Sequence, residues 1–159
     1  MGKTAPGLEC AMPAPRVLFV KLSSLGDVIH HMPAATDLRA RMPEARIDWA
    51  VEAPYAPLVA LHPAVHRAIP VPLRALRGAP LSATRWRAFG DARRSLREDD
   101  YDVVMIDCPP ALGLLTVNAL VAADGALLSS EAQYFALQGV EQALEVIELA
   151  RDGLNPDLN

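Results

Sequence analysis

The sequence predicts a three-layer α/β domain built on a parallel sheet. Three observations carry the prediction. Short apolar, β-branched runs recur along the chain, as in RVLFVK, RIDWAVE and VVMIDC. Segments with apolar residues at helical spacing fall between them, the alternation that builds βαβ crossovers and places helices on both faces of a sheet. Composition is globular, with 52% apolar and 21% charged residues over 159 positions, a length suited to one domain. No run of 18 apolar residues occurs, so no membrane span is expected.

The elements follow in order. Residues 1–15 are rich in Ala, Pro and Gly without an apolar core, which predicts a mobile arm rather than a signal peptide. Residues 16–21 read as a buried strand ended by a Ser-Ser-Leu-Gly turn. A helix is expected from Asp27, a favoured N-cap, to about Met42, with Pro33 kinking it or limiting its first turns. Residues 46–52 form a second strand, 54–62 a short helix, and 65–71 a third strand kept short by Pro70 and Pro72. A basic loop, 73–84, leads into an amphipathic helix over 85–99, with Trp86, Phe89, Ala92 and Leu96 on one stripe. Residues 103–108 read as a fully buried strand and 112–122 as a helix. Residues 125–129 (GALLS) read as a fifth strand and 137–151 as an amphipathic helix closed by Gly153 and Pro156.

Charge divides the chain. Residues 1–100 hold 14 Lys+Arg against 10 Asp+Glu, net +4, and residues 101–159 hold 1 against 9, net −8. Cys10 and Cys108 have no metal-type spacing; a buried, reduced Cys108 and a cytoplasmic location are expected. His30 and His31 are adjacent and point about 100° apart on a helix, so they do not suit one metal ion. No zinc or catalytic-triad spacing is present. The net negative charge and the absence of a recognition motif argue against nucleic acid.

Ligands in parallel sheets sit beyond the carboxyl ends of the strands, so the loop after the first strand matters most. It reads Lys21-Leu22-Ser23-Ser24-Leu25-Gly26-Asp27. Ser23, Ser24 and Gly26 let a ligand approach the backbone, and a helix N-terminus favours an anion. Asp27 suits either an N-cap or a general base. In the basic stretch 67–97, Arg74 and Arg77 lie in the loop and present guanidinium forks suited to carboxylates or phosphates. The other arginines fit a solvated helix face.

These pieces (RVLFVKLSSLGDVIHHMPAATDLRARMPEARIDWAVE, AIPVPLRALR and LSATRWRAFGDARRSLREDDYD) resemble the N-terminal domain of a lipopolysaccharide heptosyltransferase of the type that adds the first heptose. The resemblance covers residues 16–100. It implies a Rossmann-like fold, binding of the acidic sugar acceptor of the lipid A precursor, Asp27 as general base, and Arg74 and Arg77 as acceptor-binding residues. In that family the sugar nucleotide binds mainly to a C-terminal domain, which is not expected here.

From residue 101 the chain changes character. An apolar strand ends in Asp107-Cys108-Pro109-Pro110, an arrangement that can hold Mg²⁺ beside a phosphate. With its continuation ALGLLTVNALVAADGALLSSEAQYFALQGVEQALEVIELARDGLNPDLN, the segment resembles ParA-type partition ATPases. The resemblance implies that Asp107 is a Walker B carboxylate, with Pro109 and Pro110 in a nucleotide-sensing switch. The glycine-rich P-loop that such ATPases need is not found; Gly2-Lys3-Thr4 matches only its last residues, and the 22–27 loop is a poor phosphate cradle.

The expectation is therefore a chimeric, engineered Rossmann-like domain over 16–159, joined near 100–103, that folds without a complete active site. Its alternatives are a residual acceptor-binding module for an anionic sugar or phosphate, and an ATP- and Mg-binding fragment. No cofactor is expected under the first reading, and Mg-ATP under the last. The first family predicts strand order 3-2-1-4-5, the second 3-2-4-1-5, and the larger N-terminal part favours the former. A short apolar fifth strand at the sheet edge would invite a homodimer.

Overall fold

The computed structural model of the chain describes residues 14–73, 87, 90, 96, 100–108, 113–130 and 134–159. They fall into two compact units, Met1–Met105 and Ile106–Asn159.

The first unit carries the sheet. Strand β1 (Arg16–Val20) leads to helix α1 (Leu25–Arg41) and strand β2 (Arg46–Glu52). A single 3₁₀ turn (Ala53–Tyr55) runs into the short helix α2 (Ala56–Val59), followed by β3 (Arg67–Val71) and, later in the chain, β4 (Val103–Ile106). The four strands are ordered β3-β2-β1-β4, so the order expected from the N-terminal half holds. The β1–β2 and β2–β3 pairs are parallel, with Phe19 opposite Trp49 and Val51 opposite Pro70. Pro70 is tolerated because β3 is an edge strand.

Strand alternation sends side chains to two cores. Val17, Phe19, Ile47, Trp49 and Val51 meet Val28 and Ala35 of α1 and Val59 of α2. On the other face, Leu18, Ala50, Ile69 and Val71 pack with Leu22, Leu73, Leu96 and Tyr101. Trp49 is fully buried, and its indole N–H donates to the Lys21 carbonyl at 3.3 Å. Phe19, His31 and Trp49 form an edge-to-face trio with centroids 5.1–5.8 Å apart. His31 is thus a packing residue of α1.

The second unit holds helices α3 (Leu114–Ala122) and α4 (Tyr134–Gly153). Leu120, Ile147, Ala150 and Leu158 form its core. The Asn155 side-chain amide donates to the Leu120 and Ala123 carbonyls at 2.9 and 2.8 Å, closing the C-terminal end of α3. Asn159 clasps the turn after α3: its N–H donates to the Asp124 carbonyl, and its own carbonyl accepts from Ala126.

Several expectations are corrected. Residues 125–129 form no strand, and Leu127 is 96% exposed; among the described residues the sheet has four strands, not five. A run of three apolar residues between glycine and serine makes no ladder without a neighbour to pair with. The strand at 103–108 ends at Ile106 and is not buried: Val103, Val104, Met105 and Ile106 are 39–51% exposed. Helix α1 begins at Leu25 and is capped by Ser24, with Asp27 in its third position. It runs through Pro33 without a break, at the cost of the hydrogen bond that the Ile29 carbonyl would otherwise accept. Cys108 is reduced but only half buried. Of the helix expected over 85–99, Arg87, Gly90 and Leu96 are helical; the remainder, and the 74–84 part of the loop before it, lie outside the described residues.

Candidate functional site

The β1–α1 junction lies at the carboxyl end of the sheet in the first unit. Two bonds shape it. The Ser24 N–H donates to Asp27 Oδ2 at 2.7 Å, and the Ser24 hydroxyl donates to the same oxygen at 3.0 Å. Asp27 thus satisfies an orphan donor of α1 from inside the helix, the reciprocal half of a capping box. Both bonds converge on Oδ2, and Oδ1 accepts none among the described residues. The Ser24 bonds hold the Asp27 carboxyl below its ordinary pKa, helped by the positive charges of Lys21 and His30. Asp27 is exposed and ionised at neutral pH, a carboxylate oriented to accept a hydroxyl proton or hydrogen bond.

Behind this mouth stand two charged residues that sequence reasoning did not single out as a pair. Lys21 directly follows β1 and is 7% exposed; Glu52 ends β2 and is 3% exposed. The Glu52 N–H donates to the Leu22 carbonyl at 3.0 Å, fixing the β2 end against the start of the loop. A charged residue at the carboxyl end of a strand run was the available signal, because that position opens toward the ligand edge of a parallel sheet.

A second polar cluster is structural. Asp48 on β2 is fully buried, and its carboxylate gathers four donors. Tyr101 OH lies 2.9 Å and Arg67 Nη2 3.1 Å from Oδ2, with Arg46 Nη2 at 3.4 Å; His66 Nδ1 is 3.3 Å from Oδ1. Arg67 also donates to Tyr101 OH at 3.2 Å. Asp102 accepts the Arg16 N–H on its carboxylate at 2.7 Å and donates its own N–H to the Arg16 carbonyl at 2.9 Å. Burial and the neighbouring Asp48 push the Tyr101 hydroxyl above its ordinary pKa.

The predicted site residues divide accordingly. Ser23, Ser24, Gly26 and Asp27 come together at the junction, all exposed. Gly26 is an early residue of α1, and a side chain there would meet open space. Asp107 is an exposed residue of the second unit. Arg74, Arg77, Pro109 and Pro110 lie outside the described residues. Among the described residues no cluster of three or more His, Cys, Asp or Glu is placed to hold a metal ion, and no helix is long and apolar enough to cross a membrane.

Comparison with known proteins finds two sources. A family described as AAA domain matches residues 86–159. The chromosome partitioning protein ParA of Myxococcus xanthus is 53% identical over 68 residues, 43% of this chain and 24% of the relative. Lipopolysaccharide heptosyltransferase 1 of Escherichia coli K12 is 43% identical over 110 residues, 67% of this chain and 32% of the relative. Among solved structures, the E. coli heptosyltransferase WaaC with ADP-2-deoxy-2-fluoro heptose aligns with a TM-score of 0.60 at 27% identity, over 87% of this chain and 48% of that one. WaaC with ADP aligns with a TM-score of 0.54 at 42% identity, over 57% of this chain and 28% of that one. The chain spans 24–32% of the length of these curated relatives. Its different segments are similar to lipopolysaccharide heptosyltransferase 1 and to ParA-type partition proteins, the two resemblances read from its motifs.

Proposed function

We propose that the chain is a recombined Rossmann-like protein that binds an acidic sugar at its β1–α1 junction and completes neither parent's active site. The observation that carries the proposal is Asp27: an exposed, ionised carboxylate held on Oδ2 by Ser24, with Oδ1 accepting no bond among the described residues. A sugar hydroxyl donates to such an oxygen. The sugar's carboxylate is the group that Arg74 and Arg77 suit by chemistry.

The same geometry disfavours ATP at this junction. Nucleotide-binding folds leave the helix N-terminus open for a phosphate. Here the Ser24 N–H is already taken by a carboxylate, whose charge repels an incoming phosphate. Ser23, Ser24 and Asp27 occupy the place where a P-loop would present glycine N–H groups and a lysine. No ATPase step is therefore assigned.

Calorimetric titration tests the proposal. The acidic sugar of the lipid A precursor is expected to bind the wild-type chain, with binding weakened at least about tenfold in Asp27→Asn, the loss of one hydrogen bond to a charged acceptor. Mg-ATP is expected to give no heat of binding. Sugar binding unchanged by Asp27→Asn would sink the assignment of Asp27, and tight Mg-ATP binding would restore the ATPase reading.

A further inference from the structure

We infer that Lys21 is a positioning residue of the β1–α1 junction: a buried cation on the α1 face of the sheet that acts on a bound sugar through Asp27 and keeps that carboxylate a hydrogen-bond acceptor. The inference rests on the sugar-binding reading of this junction. Its starting point is a burial. Lys21 is shielded from water, whereas Ser23, Ser24, Gly26 and Asp27, which follow it in the loop and the first turn of α1, are all exposed. Taking an ammonium out of water is costly, and chains keep one there where another charge answers it. Strand geometry gives its direction. Side chains alternate along a strand, and Val17 and Phe19 of β1 pack against Val28 and Ala35 of α1. The Lys21 N–H donates to the Ala50 carbonyl at 3.2 Å, which carries the β1–β2 pairing one residue beyond Val20. Two residues on from Phe19, the Lys21 side chain therefore leaves the strand on the α1 face. Its carbonyl accepts the Trp49 indole N–H at 3.3 Å, so the backbone that carries the lysine is held at both its N–H and its carbonyl.

The charge reaches Asp27. Two cations act on its carboxyl, Lys21 from the strand end and His30 from one turn along α1, and Lys21 acts the more strongly. A neighbouring positive charge favours the carboxylate over the acid. The difference matters to a sugar hydroxyl. A carboxylate only accepts, whereas the acid carries a proton of its own and competes to donate. Ser24 already occupies Oδ2 with two donors, so Oδ1 is the oxygen whose state decides the contact. Lys21 holds it in the accepting state as pH falls. It widens the acid range over which the junction binds, and it does so without touching the sugar.

The test reads the Asp27 carboxyl directly. The full chain, labelled with carbon-13 at the aspartate carboxyls, is titrated by NMR from neutral pH down through the carboxyl range, with Asp27→Asn assigning the resonance. The midpoint is expected to rise in Lys21→Met, which keeps the side chain's length and both backbone bonds, and to return in Lys21→Arg. His30→Gln is expected to raise it less. Lys21→Gln keeps the test open should the methionine variant not fold. Calorimetry with the acidic sugar of the lipid A precursor, over the same pH range, reads the consequence. Wild type, Lys21→Met and Lys21→Arg are expected to bind alike at neutral pH, and Lys21→Met to lose binding first on acidification. In an Asp27→Asn background, Lys21→Met is expected to leave the pH profile where it was. An Asp27 midpoint that does not move in Lys21→Met overturns the inference, whether or not the sugar binds. So does a loss of affinity equal at every pH, which is the mark of a merely structural lysine. A wild-type chain that binds no sugar, with the midpoint still raised in Lys21→Met, overturns the binding reading and leaves the coupling of Lys21 to Asp27 standing.

Discussion

Removing Asp48 should cost more than removing any one of its donors, and the difference can be worked from distances. Four groups converge on this fully buried carboxylate at 2.9–3.4 Å. Deleting one partner of a fully buried ion pair costs about 3–5 kcal/mol, because the remaining charge is stranded. The Arg46 and Arg67 side chains are 33% and 36% exposed and can rehydrate, so Asp48→Ala should fall at the lower end, about 3 kcal/mol. Tyr101→Phe removes only one donor to a charged acceptor, about 1.5 kcal/mol. The two lesions share the 2.9 Å bond, so the double variant should be less destabilised than their sum by about 1 kcal/mol. Urea unfolding followed by Trp49 fluorescence, in a Trp86→Phe background, reads the unit that contains the network. An Asp48→Ala cost below about 1 kcal/mol, or strict additivity in the double variant, would refute the reasoning.

Three further outcomes follow. The Tyr101 hydroxyl is raised in the folded chain by burial and by Asp48, so the stability it contributes is complete below its ordinary pKa of about 10 and is lost as pH rises toward the folded value. Unfolding titrations should show an alkaline decline above about pH 10 that Tyr101→Phe lacks. Gly26 is helical and faces open space, so Gly26→Ala should raise stability by about 0.5–1 kcal/mol in thermal melts while weakening acidic-sugar binding, because the new methyl stands where the ligand approaches. Asn155→Ala strips two side-chain bonds from the C-terminal end of α3 and should destabilise the second unit by about 1–2 kcal/mol, read by loss of helical circular dichroism at lower temperature.

The strands and helices of the first unit were legible because their patterns are local. RVLFV and RIDWAVE announce themselves by β-branched runs, and α1 by its apolar spacing. The strand order was legible only through resemblance. Nothing in VVMI by itself says whether it docks beside β1 or between β1 and β2. The misplaced N-cap had a local cause. Ser24 and Asp27 are both favoured caps three residues apart, and the capping-box pattern assigns the cap to the first and the third helical position to the second. The buried-strand reading of 103–108 failed because apolarity predicts burial only when something arrives to cover it. The fifth strand failed for the same reason, since GALLS has strand chemistry and no ladder.

The Asp48 cluster was invisible in the sequence because its members are spread over β2, the start of β3 and Tyr101, more than fifty residues away. Its position bears on how the basic and the acidic parts of the sequence meet in one sheet. Tyr101 and Asp102 open the acidic half, yet they bond to Asp48, Arg67 and Arg16 of the basic half. The Tyr101-Asp102 pair thus anchors the start of the acidic half to the β1–β2–β3 framework. At the site, Asp27, Ser23, Ser24 and Gly26 were readable as a contiguous motif, whereas Lys21 and Glu52 meet the ligand edge only once β1 and β2 are paired.

The most direct test of the central claim is a two-dimensional amide NMR titration of the labelled full chain with the acidic sugar of the lipid A precursor and, separately, with Mg-ATP. The account predicts sugar-induced shifts confined to the amides of residues 22–28 and the basic loop that follows β3, with the same amides unmoved by Mg-ATP. Shifts at residues 24–28 with Mg-ATP, and none with the sugar, would contradict it.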